Sequence, residues 1–267
     1  MKNCENGNQT KHVIAVCGKG GVGKTAFTAM LTQALMTNEK AGKLIVIDAD
    51  PAIGLPNTLG IKAERTMGQV RETIIDTAKH GDADDKTELA NLLDYLVLDT
   101  LVETDQLAFL AMGRSETQGC YCSVNTLLRC SIELLMQTFD TILIDGEAGL
   151  EQINRQVVSE VDDLIILTDT SLRGRETVAH IKKMVAEDGV INCRNLWVVI
   201  NRVPDGFNET VLKQSIEAMN VPVLGIISLD ENIVSYDAVG KPLTELPSDS
   251  QAVLGVKAIS EKLLNQD

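Results

Sequence analysis

The chain alternates short apolar runs with longer stretches whose apolar positions recur at helical spacing. Seven runs read as strands: His12–Cys17, Leu44–Asp48, Gln106–Met112, Thr141–Asp145, Asp163–Thr168, Leu196–Asn201 and Val223–Ser228. Several are almost wholly apolar, which is the pattern of strands covered on both faces. Between them, Lys24–Met36, Leu127–Gln137, Arg175–Glu187 and Glu209–Met219 carry helical periodicity. This alternation predicts an α/β fold, a mostly parallel twisted sheet with helices on both faces. No linker, low-complexity tract or internal repeat interrupts it. Residues 12–267 are therefore expected to form a single domain behind a polar tail at 1–11. His80–Thr104 fits the alternation poorly. Its cluster Asp82, Asp84 and Asp85 reads as a solvated loop beside a short helix.

Composition narrows the picture. At 267 residues the chain is within reach of one large α/β unit. Apolar residues make up 44 % and aromatics 3 %, so the core has to be aliphatic. The 24 Lys+Arg against 38 Asp+Glu leave a formal charge of −14, which repels nucleic acid and anionic lipid. No apolar run approaches the ~18 residues that span a bilayer. Ser248–Asp267 is helical in pattern but has only Lys257 and Lys262 as basic residues, a poor match to an anionic surface. The first residues lack the apolar stretch of a signal peptide. A cytoplasmic protein is expected, with neither nucleic acid nor membrane as partner. Its six cysteines then read as thiols or metal ligands rather than disulfides.

Gly18–Thr25 reads GKGGVGKT, a full match to G-x-x-x-x-G-K-[ST] between an apolar strand and a helix. Gly18, Gly20, Gly21 and Gly23 let the backbone approach phosphate closely, with Val22 between them. The loop amides then point at the anion, and the following helix adds the positive end of its dipole. Lys24 is expected to reach the β- and γ-phosphates of a nucleotide, and the Thr25 hydroxyl to ligate Mg²⁺.

Lys19 is a second lysine inside the loop, in a place where Lys24 already serves the loop's own nucleotide. Here the sequence resembles the deviant Walker A ATPases, the group that includes MinD, ParA and the nitrogenase iron protein. The resemblance implies that Lys19 crosses a dimer interface to the partner's nucleotide, so that an ATP-sandwich homodimer is the active form. It also implies roles for two acid-ended strands. In IVIDADP, Asp48 would support Mg²⁺ and Asp50 would orient or deprotonate the attacking water. In TILIDGEAGLE, Asp145 would be the acid that holds Mg²⁺ mostly through water, and Gly146–Glu151 a switch in which Gly149 supplies a flexible amide. Asn201 and Arg202 end another apolar strand. Asn201 resembles the residue that reads the adenine edge, and its amide can donate and accept as N6 and N7 require. An Asn closing a turn has the same appearance. Ala26 stands where many relatives carry a second hydroxyl, which weakens an α-phosphate contact.

Cys120 and Cys122 stand one residue apart in GRSETQGCYCSVNTLLR. In an extended segment residues i and i+2 project to the same side, so both sulfurs could face one point. Ser123 is the expected N-cap of the helix that follows, whose positive end favours thiolates. Two thiolates are too few for a closed site, because structural Zn²⁺ takes four ligands. No histidine lies nearby in sequence; a two-fold axis would complete an S₄ set. Tetrahedral geometry would favour Zn²⁺ and square-planar geometry Ni²⁺. Cys4, Cys17, Cys130 and Cys193 read as small fillers, and Trp197 and the methionines as core.

GCYC followed by Asn125 and LLR, together with the AGLE switch, resembles the maturation ATPases of nickel-dependent carbon monoxide dehydrogenase, the CooC type, and their AcsF-type relatives of acetyl-CoA synthase. The resemblance implies a metal bridging two subunits at Cys120 and Cys122, an apo nickel enzyme as partner, and ATP hydrolysis coupled to metal insertion. Two other classes compete. An iron–sulfur reductase like the nitrogenase iron protein would need a cysteine in Gly146–Glu151, which has none. A MinD- or ParA-like positioning ATPase would need a membrane- or DNA-binding surface.

Overall fold

The computed structural model describes residues 11–80, 92–93, 95–114, 122–146, 153, 157–158, 160–187 and 189–265. Eight strands form one sheet: β1 (His12–Gly18), β2 (Leu44–Asp48), β3 (Leu101–Glu103), β4 (Ala108–Ala111), β5 (Thr141–Asp145), β6 (Glu160–Thr168), β7 (Asn192–Val203) and β8 (Val223–Ser228). Their order is β3-β4-β2-β5-β1-β6-β7-β8. Every pairing is parallel except β3 with β4. The described helices are α1 (Lys24–Met36), α2 (Leu55–Leu59), α3 (Met67–His80), α4 (Cys122–Met136), α5 (Leu172–Ala186), α6 (Glu209–Glu217), α7 (Glu231–Ala238) and α8 (Gln251–Leu264).

Two aliphatic cores explain the near-absence of polar residues from the central strands. On one face Phe27, Leu31 and Leu35 of α1 and Val256 and Ile259 of α8 pack on Val16, Val46 and Leu143. On the other, Val70 of α3, Ile132 of α4, Ile181 of α5 and Ile216 of α6 pack on Ala15, Ile47 and Ile144. Parallel strands buried on both sides read as continuous apolar runs, which is why β2 and β5 match their sequence boundaries; β8, a half-buried edge strand, matches its own as well.

Several expectations need correction. The strand expected over Gln106–Met112 is only Ala108–Ala111. Within His80–Thr104, residues 95–98 are helical, as the expected short helix requires, and 101–103 form a strand, β3, that the pattern does not predict; Asp82, Asp84 and Asp85 lie outside the described residues. β6 and β7 start earlier than expected, at Glu160 and Asn192, because polar residues there pair along the ladder. α4 starts at Cys122, so Ser123 lies within the helix and is not its N-cap. Ser and Asn are poor interior helix formers and favour caps, which hid this first turn. Arg71 Nε on α3 donates to Asn125 Oδ1 at 2.8 Å and ties that turn down.

Trp197 is more than core filler. Its indole Nε1 donates to Asp163 Oδ1 at 2.6 Å, Asn195 Nδ2 donates to the same oxygen at 3.0 Å, and His12 Nε2 lies 2.5 Å from Oδ2. Asp163 is buried at the amino end of β6. Burial alone would raise its pKa, but the bonds from His12, Trp197 and Asn195 hold it below the usual carboxylate range. The cluster closes the end of the sheet opposite the phosphate loop.

Candidate functional site

Register brings the chemistry together at the carboxyl ends of the central strands. Asp48 on β2 is level with Asp145 on β5, and Asp145 with Val16 on β1, two residues before the glycine-rich loop opens at Gly18. Open α/β sheets collect ligands at such an edge. β1 runs so close to β6 that a Cβ at Gly18, whose φ is +139°, would sit 2.1 Å from the Leu167 carbonyl oxygen. Gly23, the N-cap of α1, has φ +91°, a left-handed conformation that favours glycine, and brings no side chain to cover the first amides of α1.

When loop amides face an anion, the loop carbonyls face outward and need donors. The carboxyl end of β7 supplies them. Asn201 Nδ2 donates to the Val22 carbonyl at 2.9 Å, and Arg202 Nη1 to that of Gly21 at 3.0 Å, with Arg202 itself at φ +55°. Lys24 Nζ donates to the Lys19 carbonyl at 3.4 Å, inside the loop. The residue expected to read adenine is thus also a brace behind the phosphate loop. Nδ2 carries two hydrogens, and this bond uses one of them.

A cavity of about 550 Å³ opens on the loop. Gly20, Gly21, Gly23, Lys24, Thr25 and Ala26 line it together with Asp50, Gly54, Thr58, Arg202, Ile233, Asp237 and Leu243. Ile233 and Leu243 bring apolar side chains and Asp237 an acceptor, none of which sequence reasoning singled out. Their signal was faint: Ile233 and Asp237 sit on a short helix, α7, capped by Asp230, whose Oδ1 accepts the Asn232 amide at 2.9 Å, and Leu243 opens a single 3-10 turn.

Lys19 is held within its own chain. Its Nζ lies 3.1 Å from Asp169 Oδ2 and 3.4 Å from Ser171 Oγ. Ser171 caps α5, and Asp169 follows the end of β6. Both side chains are about a third exposed, and a solvent-screened ion pair of this kind is worth on the order of 1 kcal/mol, so it yields to a better partner.

The two central carboxylates differ in their surroundings. Asp48 is fully buried and accepts the Asp50 amide on Oδ1 and the Leu55 amide on Oδ2, each at 3.1 Å. It therefore shapes the turn that carries Asp50, whose Oδ1 accepts the Ala52 amide at 2.8 Å. Burial and the neighbouring charge of Asp145 push Asp48 up to about 7. Asp145 is also buried and raised to about 6 by burial, partly countered by the Thr25 and Thr28 hydroxyls and the charge of Lys24. Its Oδ1 accepts the Thr28 hydroxyl at 3.0 Å, whereas Oδ2 is buried with no hydrogen-bond partner among the described residues. An orphaned carboxylate oxygen beside a threonine hydroxyl and the phosphate loop is a fitting donor set for a hard, oxygen-seeking cation such as Mg²⁺.

These raised values predict a pH dependence for the protein without nucleotide or metal. The folded state binds protons more tightly than the unfolded chain, so stability falls as pH rises from about 4 to about 7, by a few kcal/mol at most. Melting in chelator-containing buffer between pH 5 and 8 should show this fall, and Asp48→Asn should flatten it. An unchanged slope in that variant would exclude the pair as its source.

Gly149 and most of the expected switch lie outside the described residues, as does Cys120; Cys122 is the first residue of α4. The extended geometry expected for the pair therefore does not hold at Cys122. Cys17 is buried and its thiol is pushed up to about 12 by that burial, as suits an inert filler. Among the described residues, no three His, Cys, Asp or Glu gather as a metal-holding group. No described helix is long and apolar enough to cross a membrane.

The CobQ/CobB/MinD/ParA nucleotide binding domain matches residues 13–243. An uncharacterised ATP-binding protein of Methanocaldococcus jannaschii is 39 % identical over 95 % of this chain and 99 % of its own length. The carbon monoxide dehydrogenase accessory protein CooC of Rhodospirillum rubrum is 28 % identical over 85 % of this chain and 87 % of its own. Among solved structures, the septum site-determining protein MinD of Pyrococcus horikoshii, complexed with Mg-ADP, shares the fold. Its TM-score is 0.65 at 20 % identity, over 94 % of this chain and 95 % of that one. The strand order, the phosphate loop and these matches agree: the chain belongs to the CobQ/CobB/MinD/ParA nucleotide-binding family and is a P-loop ATPase.

Proposed function

We propose that the chain is an ATP-driven metal chaperone that delivers nickel to an apo metalloenzyme, carbon monoxide dehydrogenase or acetyl-CoA synthase, through an ATP- and metal-linked homodimer in the cytoplasm. The observation that carries the proposal is the Cys120-x-Cys122 pair leading into α4, two ligands where S₄ coordination needs four. The similarity to CooC of Rhodospirillum rubrum supports it.

In this reading the loop amides of Gly20–Thr25 and the Lys24 ammonium bind the β- and γ-phosphates. Asn201 and Arg202 keep that loop preformed, and Asn201 meets the adenine edge with the rest of its amide. Thr25 and Asp145 hold Mg²⁺, with Asp48 in support; bound there, the ion neutralises charge that develops on the phosphates. Asp50 orients the attacking water. Lys19 leaves Asp169 for the nucleotide of the second subunit, and closure brings the two Cys120–Cys122 pairs face to face. The Gly146–Glu151 switch, with Gly149, responds to loss of the γ-phosphate. Nickel is cargo, held by the paired thiolates with zinc as a competitor, and released when the halves part. ATP and metal affinities are then coupled, and linkage makes the coupling reciprocal.

Metal analysis of the ATP-bound protein tests the reading. Wild type should carry about one Ni²⁺ or Zn²⁺ per two chains, and a Cys120→Ala, Cys122→Ala variant none. Undiminished metal in the variant would overturn it. A membrane-positioning role has less support, because α8 turns Ala252, Val256, Ile259 and Leu263 into the core and packs on β8 and α1.

A further inference from the structure

Thr28 is the fifth residue of α1 and is wholly buried in an otherwise apolar segment beside Phe27, Ala29, Met30 and Leu31. A buried hydroxyl has to find an acceptor, and a helix offers one at the carbonyl four residues back. Thr32, one turn further on, takes that option and donates to the Thr28 carbonyl at 2.8 Å. Thr28 instead spans the helix–sheet gap and donates to Asp145 Oδ1 at 3.0 Å. A carboxylate on a strand end turns about its terminal bond, and a bond to one oxygen stops that rotation. The other oxygen, Oδ2, is the one buried without a partner among the described residues. Thr25 lies three positions before Thr28, on the same face of α1, and its hydroxyl neighbours the same carboxylate.

We propose that Thr28 is a positioning residue for magnesium: it fixes one oxygen of Asp145 so that the second is left for the ion or its bound water. This rests on the proposed role of Asp145 in holding Mg²⁺ and not on the nickel reading. Thr28 is wholly buried and its hydroxyl is committed to Asp145, so its effect is expected on the affinity of the site for Mg²⁺ rather than on phosphate binding.

The test titrates Mg²⁺ into the full-length protein with a fluorescent, non-hydrolysable ATP analogue and reads nucleotide binding, not turnover. Thr28→Val keeps the shape and removes the donor; Thr28→Ser keeps the donor. Thr28→Val should need about 10- to 100-fold more Mg²⁺ for half-saturation, the usual loss for a residue behind a metal ligand, with chelator-measured affinity for the analogue within about twofold of wild type. Thr28→Ser should titrate like wild type. Should Thr28→Val not fold, Thr28→Ala stands in for it with the same expectation. The inference fails if the donor-less variant titrates like wild type, or if Thr28→Ser loses as much as Thr28→Val, which would mark a packing effect alone.

Discussion

Lys19→Ala should abolish most ATP turnover while the protein stays folded. Inside its own chain Lys19 makes a half-buried, solvent-screened contact to Asp169 and Ser171, so its removal costs on the order of 1 kcal/mol of stability. A charge supplied in trans to a transferring phosphoryl group is worth far more, about 10³–10⁵ in rate in comparable enzymes. Turnover is therefore expected to fall by at least about 100-fold, the cost of losing a single transition-state donor. Mixing gives the decisive control. On the proposed mechanism Asp50→Ala should also be inactive, because the attacking water would lose its acceptor. A mixed dimer of Lys19→Ala with Asp50→Ala has one complete site, with Asp50 from one chain and Lys19 from the other. Random mixing should then restore about a quarter of wild-type turnover, since half the dimers are mixed and each has one working site of two. No recovery on mixing, or undiminished turnover of Lys19→Ala alone, would end the cross-subunit role. Asp169→Asn loosens the home contact of Lys19 while its remaining amide oxygen can still accept the Ser171 amide, and it should keep its activity.

Gly18→Ala should leave little folded protein. The added methyl group would lie 2.1 Å from the Leu167 carbonyl oxygen, at a backbone φ of +139° that side chains avoid. The obstacle is backbone in the middle of the sheet, where β1 and β6 pair from Ile14 to Gly18, so it has no room to yield. We expect a loss of more than about 4 kcal/mol, at the far end of what single substitutions do. Gly20→Ala is the matched contrast. A Cβ there meets nothing within 4 Å, and the change should stay within about 1 kcal/mol. Circular dichroism and thermal melting of the two variants separate a packing requirement from a general sensitivity of the loop. Equal stability of both would refute the argument.

Much of this molecule was legible in its residues. β2, β5 and β8 stand at the boundaries their apolar runs predicted, and α1 opens at Lys24 as the phosphate-loop pattern required. Burial on both faces writes itself into a strand as a continuous apolar run, and a loop whose amides have to face an anion needs its glycines wherever it occurs. Short or partly polar elements left a weaker trace. β3 is three residues on the edge of the sheet, and the first turn of α4 is spelled with residues that favour caps. Register and long-range contact left none. Thr28 and Asp145 are 117 residues apart, Lys19 and Asp169 are 150, and Asn201 meets Val22 across 179. In the chain Thr28 and Asp169 are an ordinary threonine and aspartate, and nothing in the motifs that carry Lys19, Asp145 and Asn201 names their partners. The sequence determined which segments would be buried and where a phosphate would be held. The strand order decided which side chains stand behind that loop and beside its acids, because a hydrogen bond depends on distance in space while a pattern records only position along the chain.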